Sequence, residues 1–420
     1  MRLGKLAIAA TCAAIVAGTA GAEPKTLMLH QWATGSDAAA IAKLGEMFEA
    51  NGGTWEQTAV GGHTANTLAK LRADVVAGNA PAAVQLKGPE IAEWNETGRT
   101  ANLDELAAAE GWDDVVAPEL LPVMKPTGNW VAAPMNIHRI NWIWGNKAAM
   151  AEVGVDALPT TWDEYNAACE KAKAGGKWCL AHFSADWTDA TTFEIVLYGM
   201  YPETFKAAFM DADLDAMRSP EMIEALDQFR LMVTEHINPD ILGSNDYDAT
   251  AQSMTNGDAL FEFMGDWFIG NLKSYGVEPF DEIVCAAAPR NDGKPGFILN
   301  SDSVVFFEQS DPDYIEGQKM LASLILSPDF QTIFNQAKGS IPARLDVDLS
   351  EGFNGCQQIA QADLAASIEA GTLVRSMAHN MTVLQKYRAA MMEIITEFVN
   401  SDMSSEEAAN LMADEVEGQM

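Results

Sequence analysis

Basic residues are scarce in this chain: 26 Lys and Arg stand against 60 Asp and Glu in 420 residues, a formal charge of −34. A surface this acidic repels nucleic acid and anionic membranes, so neither is expected as a partner. Cysteine is also sparse. Five are present, none in a Cys-x-x-Cys pair, and the six histidines show no zinc-ligand spacing. No metal, cofactor or redox chemistry is therefore expected. The nucleophile elbow Gly-x-Ser-x-Gly, the Walker A loop, Gly-x-Gly-x-x-Gly and His-Glu-x-x-His are all missing. Asp211-Ala-Asp213-Leu-Asp215 starts like a calcium loop, but Ala216 replaces the turn glycine and Met222 the bidentate glutamate. No apolar run approaches the ~20 residues of a membrane-spanning helix, and no repeat or linker divides the chain.

The first 22 residues read as an export signal. Arg2 and Lys5 form a positive start, Leu6 to Val16 a short apolar run, and Ala20-Gly21-Ala22 the small-residue cleavage pattern. Cleavage leaves 398 residues (420 − 22) beginning at Glu23 and moves the charge to −36, since Arg2 and Lys5 depart. The expected location is the periplasm. Cys169, Cys179, Cys285 and Cys356 remain there, an even number in an oxidising compartment, with three possible pairings. Cys169 falls on the helix opened by Thr161 and Cys179 on the strand after it, so a packed helix–strand unit favours their bridge. Cys285 and Cys356 are then left as a second pair.

Strands alternate with helices from Lys25 onward. Lys25–His30, Trp55–Val60 and Ala82–Leu86 read as strands. Ser36–Ala50, capped by Ser36, then Thr64–Gly78 and Glu90–Thr97 read as helices. This is the pattern of an open, mainly parallel sheet. Strands at Trp130–Ala133 and Ile140–Trp144 break the rhythm around Pro134, and a strand pair flanks Pro289–Gly296. These breaks place crossings between two α/β lobes: 23–132 plus 287–342 in the first, 133–286 plus 343–420 in the second. Helices are expected at Pro220–Glu235, Pro328–Ala337, Val383–Val399 and Ser404–Glu417.

Short islands of aromatic and polar residues each follow an expected strand: His30-Gln31-Trp32, Lys87-Gly88-Pro89, Pro134-Met-Asn136-Ile-His138-Arg139, Met264-Gly-Asp266-Trp267, Asn300-Ser-Asp302 and Lys338-Gly-Ser-Ile-Pro-Ala-Arg344. Strand carboxyl ends are where open α/β sheets bind ligands. Indole faces suit the C–H face of a sugar, and charged groups suit its hydroxyls. In this order and over the whole mature chain, the islands resemble the extracellular family 1 solute-binding proteins of ABC transporters, in their glucose/galactose-binding branch. That family carries His-Trp-Trp, Lys-Gly-Pro, Pro-x-Asn-x-His-Arg, Met-Gly-Asp-Trp and Lys-Gly-Ser-Ile-Pro-x-Arg.

The resemblance implies the two-lobed type II periplasmic binding fold, with mixed sheets, flanking helices and a helical C-terminal segment. It implies a monomer without catalysis or cofactor, which takes a sugar to membrane permease subunits. Trp32 and Trp267 would stack on the sugar; Lys87, Asp302 and Lys338 would bond its hydroxyls; His379 would close the far side. Asn136 and His138 would line the cleft or shape it. Gln31 stands where the family has its first Trp, and His63 interrupts a glycine turn; both fall where ligand should lie, so the pocket is expected to be roomier or more polar. Plainer roles compete for several of these: Trp142 and Trp144 as core, Asp266 as the cap of a helix at Trp267, and His138-Arg139 as a structural pair. A secreted carbohydrate-active enzyme using Asp266 and Asp302 is the rival function, and an oligosaccharide or glycosylated osmolyte the rival ligand.

Overall fold

A computed structural model describes residues 22–33, 35–61, 63–244 and 246–420. The expected signal peptide, apart from Ala22, lies outside the described residues. Twelve strands are described: β1 (Lys25–His30), β2 (Thr54–Ala59), β3 (Ala83–Leu86), β4 (Ala132–Pro134), β5 (His138–Arg139), β6 (Trp142–Asn146), β7 (Trp178–Leu180), β8 (Ala259–Phe263), β9 (Ile283–Ala287), β10 (Phe297–Asn300), β11 (Ser303–Phe306) and β12 (Leu373–Arg375). They form three sheets, ordered β2-β1-β3-β11-β4, β7-β8-β6-β9 and β12-β10-β5.

The first sheet grows from local sequence. β1 pairs in parallel with both β2 and β3, through the helices Gly35–Ala50 and His63–Val76 that the alternating pattern predicts. Gly35 already opens the first helix, so Ser36 falls in its first turn and not at its cap. β11 then joins antiparallel, from far along the chain, between β3 and β4. The second sheet carries the helix-rich middle. Its β6 packs Trp142 and Trp144 fully into the interior, the plainer of the two roles open to them. Helix starts follow the capping rule: Thr161 Oγ1 accepts from Glu164 N, Ser219 from Met222 N, Ser327 from Phe330 N and Ser404 from Glu407 N.

Three passages link the first sheet to the others, and they lie side by side. Residues 135–137 lead from β4 to β5, residues 301–302 lead from β10 to β11, and a third passage runs through Ile341. Ile137 and Ile341 exchange backbone hydrogen bonds of 2.8 and 3.0 Å, and Met135 N donates to Asp302 O at 2.8 Å. The result is the two-lobed α/β fold. β5, β10 and β12 were not read as strands from the sequence, because two to four residues are too few to show a period. The helix Gly355–Glu369 was missed despite a visible signal: Asn354 Oδ1 accepts from Gln357 N, and Gln357 Oε1 from Asn354 N.

Both expected disulfides are formed, Cys169–Cys179 and Cys285–Cys356, with Cα atoms 4.9 and 6.1 Å apart. They close loops of 10 and 71 residues. Chain entropy gives the longer loop about 4 kcal/mol and the shorter about 3 kcal/mol. Urea unfolding of Cys285→Ser/Cys356→Ser should therefore show a larger loss of stability than Cys169→Ser/Cys179→Ser. Equal losses would mean that strain or residual structure, not loop length, governs these bridges.

Candidate functional site

Between the lobes lies a cavity of about 1190 Å³. Gln31, Trp32, Lys87, His138, Trp267, Asp302, Lys338 and His379 all line it. Each is delivered by a feature of the local chain. Trp32 follows the end of β1 directly. Lys87 follows β3, and the turn at Gly88 has φ +45°, where a Cβ would collide with the Asn380 carbonyl. Lys338 ends the helix Pro328–Lys338, which Gly339 terminates at φ +93°, close against the Asp266 carbonyl. Trp267 precedes the helix Phe268–Ser274.

A chain of paired charges runs behind the cavity wall. Lys87 Nζ meets Asp302 Oδ1 at 2.7 Å. Asp302 Oδ2 faces His138 Nε2 at 3.0 Å, while His138 Nδ1 bonds Asp266. Both ring nitrogens face carboxylates, an arrangement that favours the doubly protonated imidazole. Burial would lower its pKa, but Asp266 and Asp302 hold it above the ordinary histidine value of 6.5. Burial would raise the Asp302 carboxyl, yet Lys87 and His138 hold it well below the usual carboxylate range. Two carboxylates thus face an imidazole and an ammonium in a dry place, where burial raises the Asp266 carboxyl against the pull of His138. A second pair, Lys338 with Asp37, stands beside Trp32, and the Lys338 ammonium lies 5.1 Å from the Trp32 ring centre.

Two sequence expectations need correction, and a third residue, Asp302, gains a second role. Asn136 does not reach the cavity: it is fully buried, its Nδ2 donates to Asp302 Oδ2 at 3.0 Å, and its Oδ1 accepts from Asp302 N at 2.8 Å. Asp266 is not a helix cap, because its carboxylate is claimed by His138 and by Arg139 N at 2.8 Å. Asp302 lines the cavity, but four side-chain donors already bond its oxygens: Lys87, Gln85, Asn136 and His138. A carboxylate has about four lone-pair sites, so Asp302 is a keystone holding Lys87 and His138 in place.

Gln31, in place of a ring, is tied down by Thr64, whose hydroxyl donates to Gln31 Oε1 at 2.8 Å. The His63 side chain lies outside the described residues. His379 keeps a neutral ring: burial lowers its pKa well below 6.5, with Lys87 and Arg388 adding to the effect, and Nε2 lies 2.9 Å from Thr191 Oγ1. The loop bearing His379 is anchored by Glu194, which accepts from Ser376 Oγ, Met377 N and Ala378 N. Burial pushes the Glu194 carboxyl up to about 7.

Sequence reasoning missed the outer part of the cavity. Trp187 and Tyr247 continue the aromatic wall from Trp267, with ring centres 6.3 Å apart for Trp267–Trp187 and 6.1 Å for Trp187–Tyr247. Asp37, Asn300 and Arg388 also line the cavity. Asp186-Trp187 is another aromatic–polar island after a strand, so the same pattern could have found it.

The fold and this cleft define a solute-binding protein. The bacterial extracellular solute-binding protein family matches residues 32–311, and the chain belongs to that family. A "Probable sugar-binding periplasmic protein" of Brucella melitensis is 38% identical over 423 aligned residues, covering 99% of each chain. Among solved structures, a chitin oligosaccharide binding protein matches with a TM-score of 0.80 at 16% identity, covering 94% of this chain and 98% of that one. The solute receptor AcbH, with an exclusive preference for β-D-galactopyranose, matches with a TM-score of 0.75 at 14% identity, covering 94% and 99%. This chain is periplasmic, and no helix among the described residues is long and apolar enough to cross a membrane.

The buried charge chain has a pH signature. The raised His138 pKa adds stability fully present below pH 6.5 and lost as pH rises through its folded value. The depressed Asp302 pKa adds stability present above pH 3.8 and lost as pH falls through its folded value. Urea unfolding of wild type and His138→Gln across pH should show the largest gap between about pH 4 and 6.5, on the order of 3–5 kcal/mol. The gap should then narrow at higher pH. A gap independent of pH would mean the ring is neutral.

Proposed function

We propose that this chain is the solute-binding component of an ABC importer, which captures a sugar between its lobes and presents the closed form to membrane permease subunits. The observation that carries this reading is one cavity holding indole faces, Trp32 and Trp267, beside a charge-balanced polar set. A pyranose has the complementary make-up, with an apolar C–H face and a rim of hydroxyls. The lobes, expected from the sequence to change at 132/133, 286/287 and 342/343, are taken instead to meet at the passages 135–137, 301–302 and Ile341, because β4 belongs whole to the first sheet and β10 pairs with β5 and β12. They close by bending at these three adjacent passages. A monomer suffices, because both walls come from one chain.

The ligand class is a glucose- or galactose-like monosaccharide, supported by the island motifs of that branch. The cavity volume favours a second reading. At about 1190 Å³ it exceeds the ~300–1,000 Å³ usual for small-ligand pockets, and Trp187 with Tyr247 extends the aromatic wall. A longer saccharide would use both parts. The relatives span this choice, one named for a chitin oligosaccharide and one for a single galactopyranose. Catalysis by Asp266 and Asp302 is disfavoured by geometry: the His138 ring stands between them, in the space a glycosidic bond would need.

A thermal-shift screen over hexoses, pentoses and disaccharides tests the reading. Ligand at 100 times its Kd should add about 2.7 kcal/mol of stability, and the sugar should be recovered unchanged after long incubation. No shift with any sugar, or a chemically altered sugar, would sink it. Trp267→Ala should weaken binding at least tenfold, about 1.4 kcal/mol, with apo stability falling by less than the ~3–5 kcal/mol of a core tryptophan. A loss of the full core magnitude would make Trp267 structural.

A further inference from the structure

Around the inner cavity nearly every polar side chain is already spent on the protein. Asp302 is bonded by four donors, both His138 nitrogens face carboxylates, and Lys87 and Lys338 each hold an aspartate. Asn300 is different. It is the last residue of β10, is 1% exposed and lines the cavity, and its backbone pairs across to His138. Among the described residues its side-chain amide makes no hydrogen bond, and Oδ1 is buried without a partner. Buried amide oxygens are rarely left so, because the lost hydration has no replacement. Asn300 lines the cavity, so a bound ligand is the partner within its reach.

We propose that Asn300 is a specificity-determining residue that reads one adjacent pair of ligand hydroxyls; this rests on the sugar-binding reading above. An amide is one of the few side chains that accepts and donates at once. One hydroxyl donates to Oδ1 while its neighbour accepts from Nδ2. Inverting or deleting either hydroxyl leaves one half of the amide unpaired, and this is the arrangement that discriminates strongly between similar ligands. The position adds a consequence for closure. Asn300 is followed by Ser301, whose hydroxyl donates to Asn136 O at 2.7 Å, and by Asp302, whose N–H donates to Asn136 Oδ1 at 2.8 Å. A ligand held by Asn300 therefore touches one of the crossing passages themselves.

The test is calorimetry on the full mature chain, wild type against Asn300→Ala and Asn300→Leu, with apo melting curves for each. The probes are D-glucose and D-galactose, and the derivatives of whichever binds more tightly that lack one hydroxyl each. Both variants should bind the parent sugar at least tenfold more weakly, with apo melting unchanged or raised because an unpaired buried amide is gone. Wild type should lose affinity for the derivatives missing the hydroxyls that are read, and the variants should lose no more for those than for the parent. Equal affinity in wild type and variants overturns the inference while sugar binding stands. So does a uniform loss across all derivatives, or an apo melting point that falls together with affinity, since each marks a structural amide. A wild-type chain that binds neither hexose overturns the monosaccharide reading, and the inference with it.

Discussion

The site depends on a buried run of alternating charge, Asp266–His138–Asp302–Lys87, with Asn136 bracing Asp302 from behind. Charges taken out of water are costly, and this run is stable because each member has a partner of opposite sign and further hydrogen bonds complete it. Its members come from separate parts of the fold: β5, the turn after β8, the β10–β11 passage and the turn after β3. Removing one partner would leave a charge uncompensated where no water can reach it. The same run aims Lys87 and positions His138 in the cavity wall, so stability and recognition share one set of contacts.

That sharing explains where the run lies. The passages at 135–137 and 301–302 are hydrogen-bonded to each other, and Ile341 is paired to Ile137. A binding protein that closes on its ligand needs its polar recognition set near the axis of motion, where distances change least as the lobes move. Aromatic faces can sit farther out, because stacking tolerates small displacements better than a hydrogen bond does. Trp187 and Tyr247 occupy such an outer position. The exposed acidic surface has a different part, favouring solubility and repelling polyanions.

Regular structure was legible from the sequence wherever its cause was local. Lys25–His30 and Pro220–Glu235 run between the expected residues, because caps, prolines and apolar periodicity act within a few positions. The aromatic–polar islands were legible for a related reason. A strand end followed by such residues is a local pattern, and Trp32, Lys87 and Trp267, each just past a strand, all reach one cavity. The short strands β5, β10 and β12 were not legible, since so few residues carry no period.

By itself, then, the sequence indicated the periplasmic location, the α/β class, the favoured disulfide pairing and most residues of the inner cleft. Only the tertiary structure decided which of them face open space and which are spent on one another. His138 meets Asp266 and Asp302 across 128 and 164 residues, and although local islands mark all three, nothing in those islands shows that they meet. Coulomb attraction and desolvation depend on distance and burial in the folded chain, and neither leaves a trace in the spacing of residues along it. For the same reason it took the fold to show that Asp302, expected to grip the ligand, also holds four donors of the protein, while the Asn300 amide oxygen has no partner among the described residues.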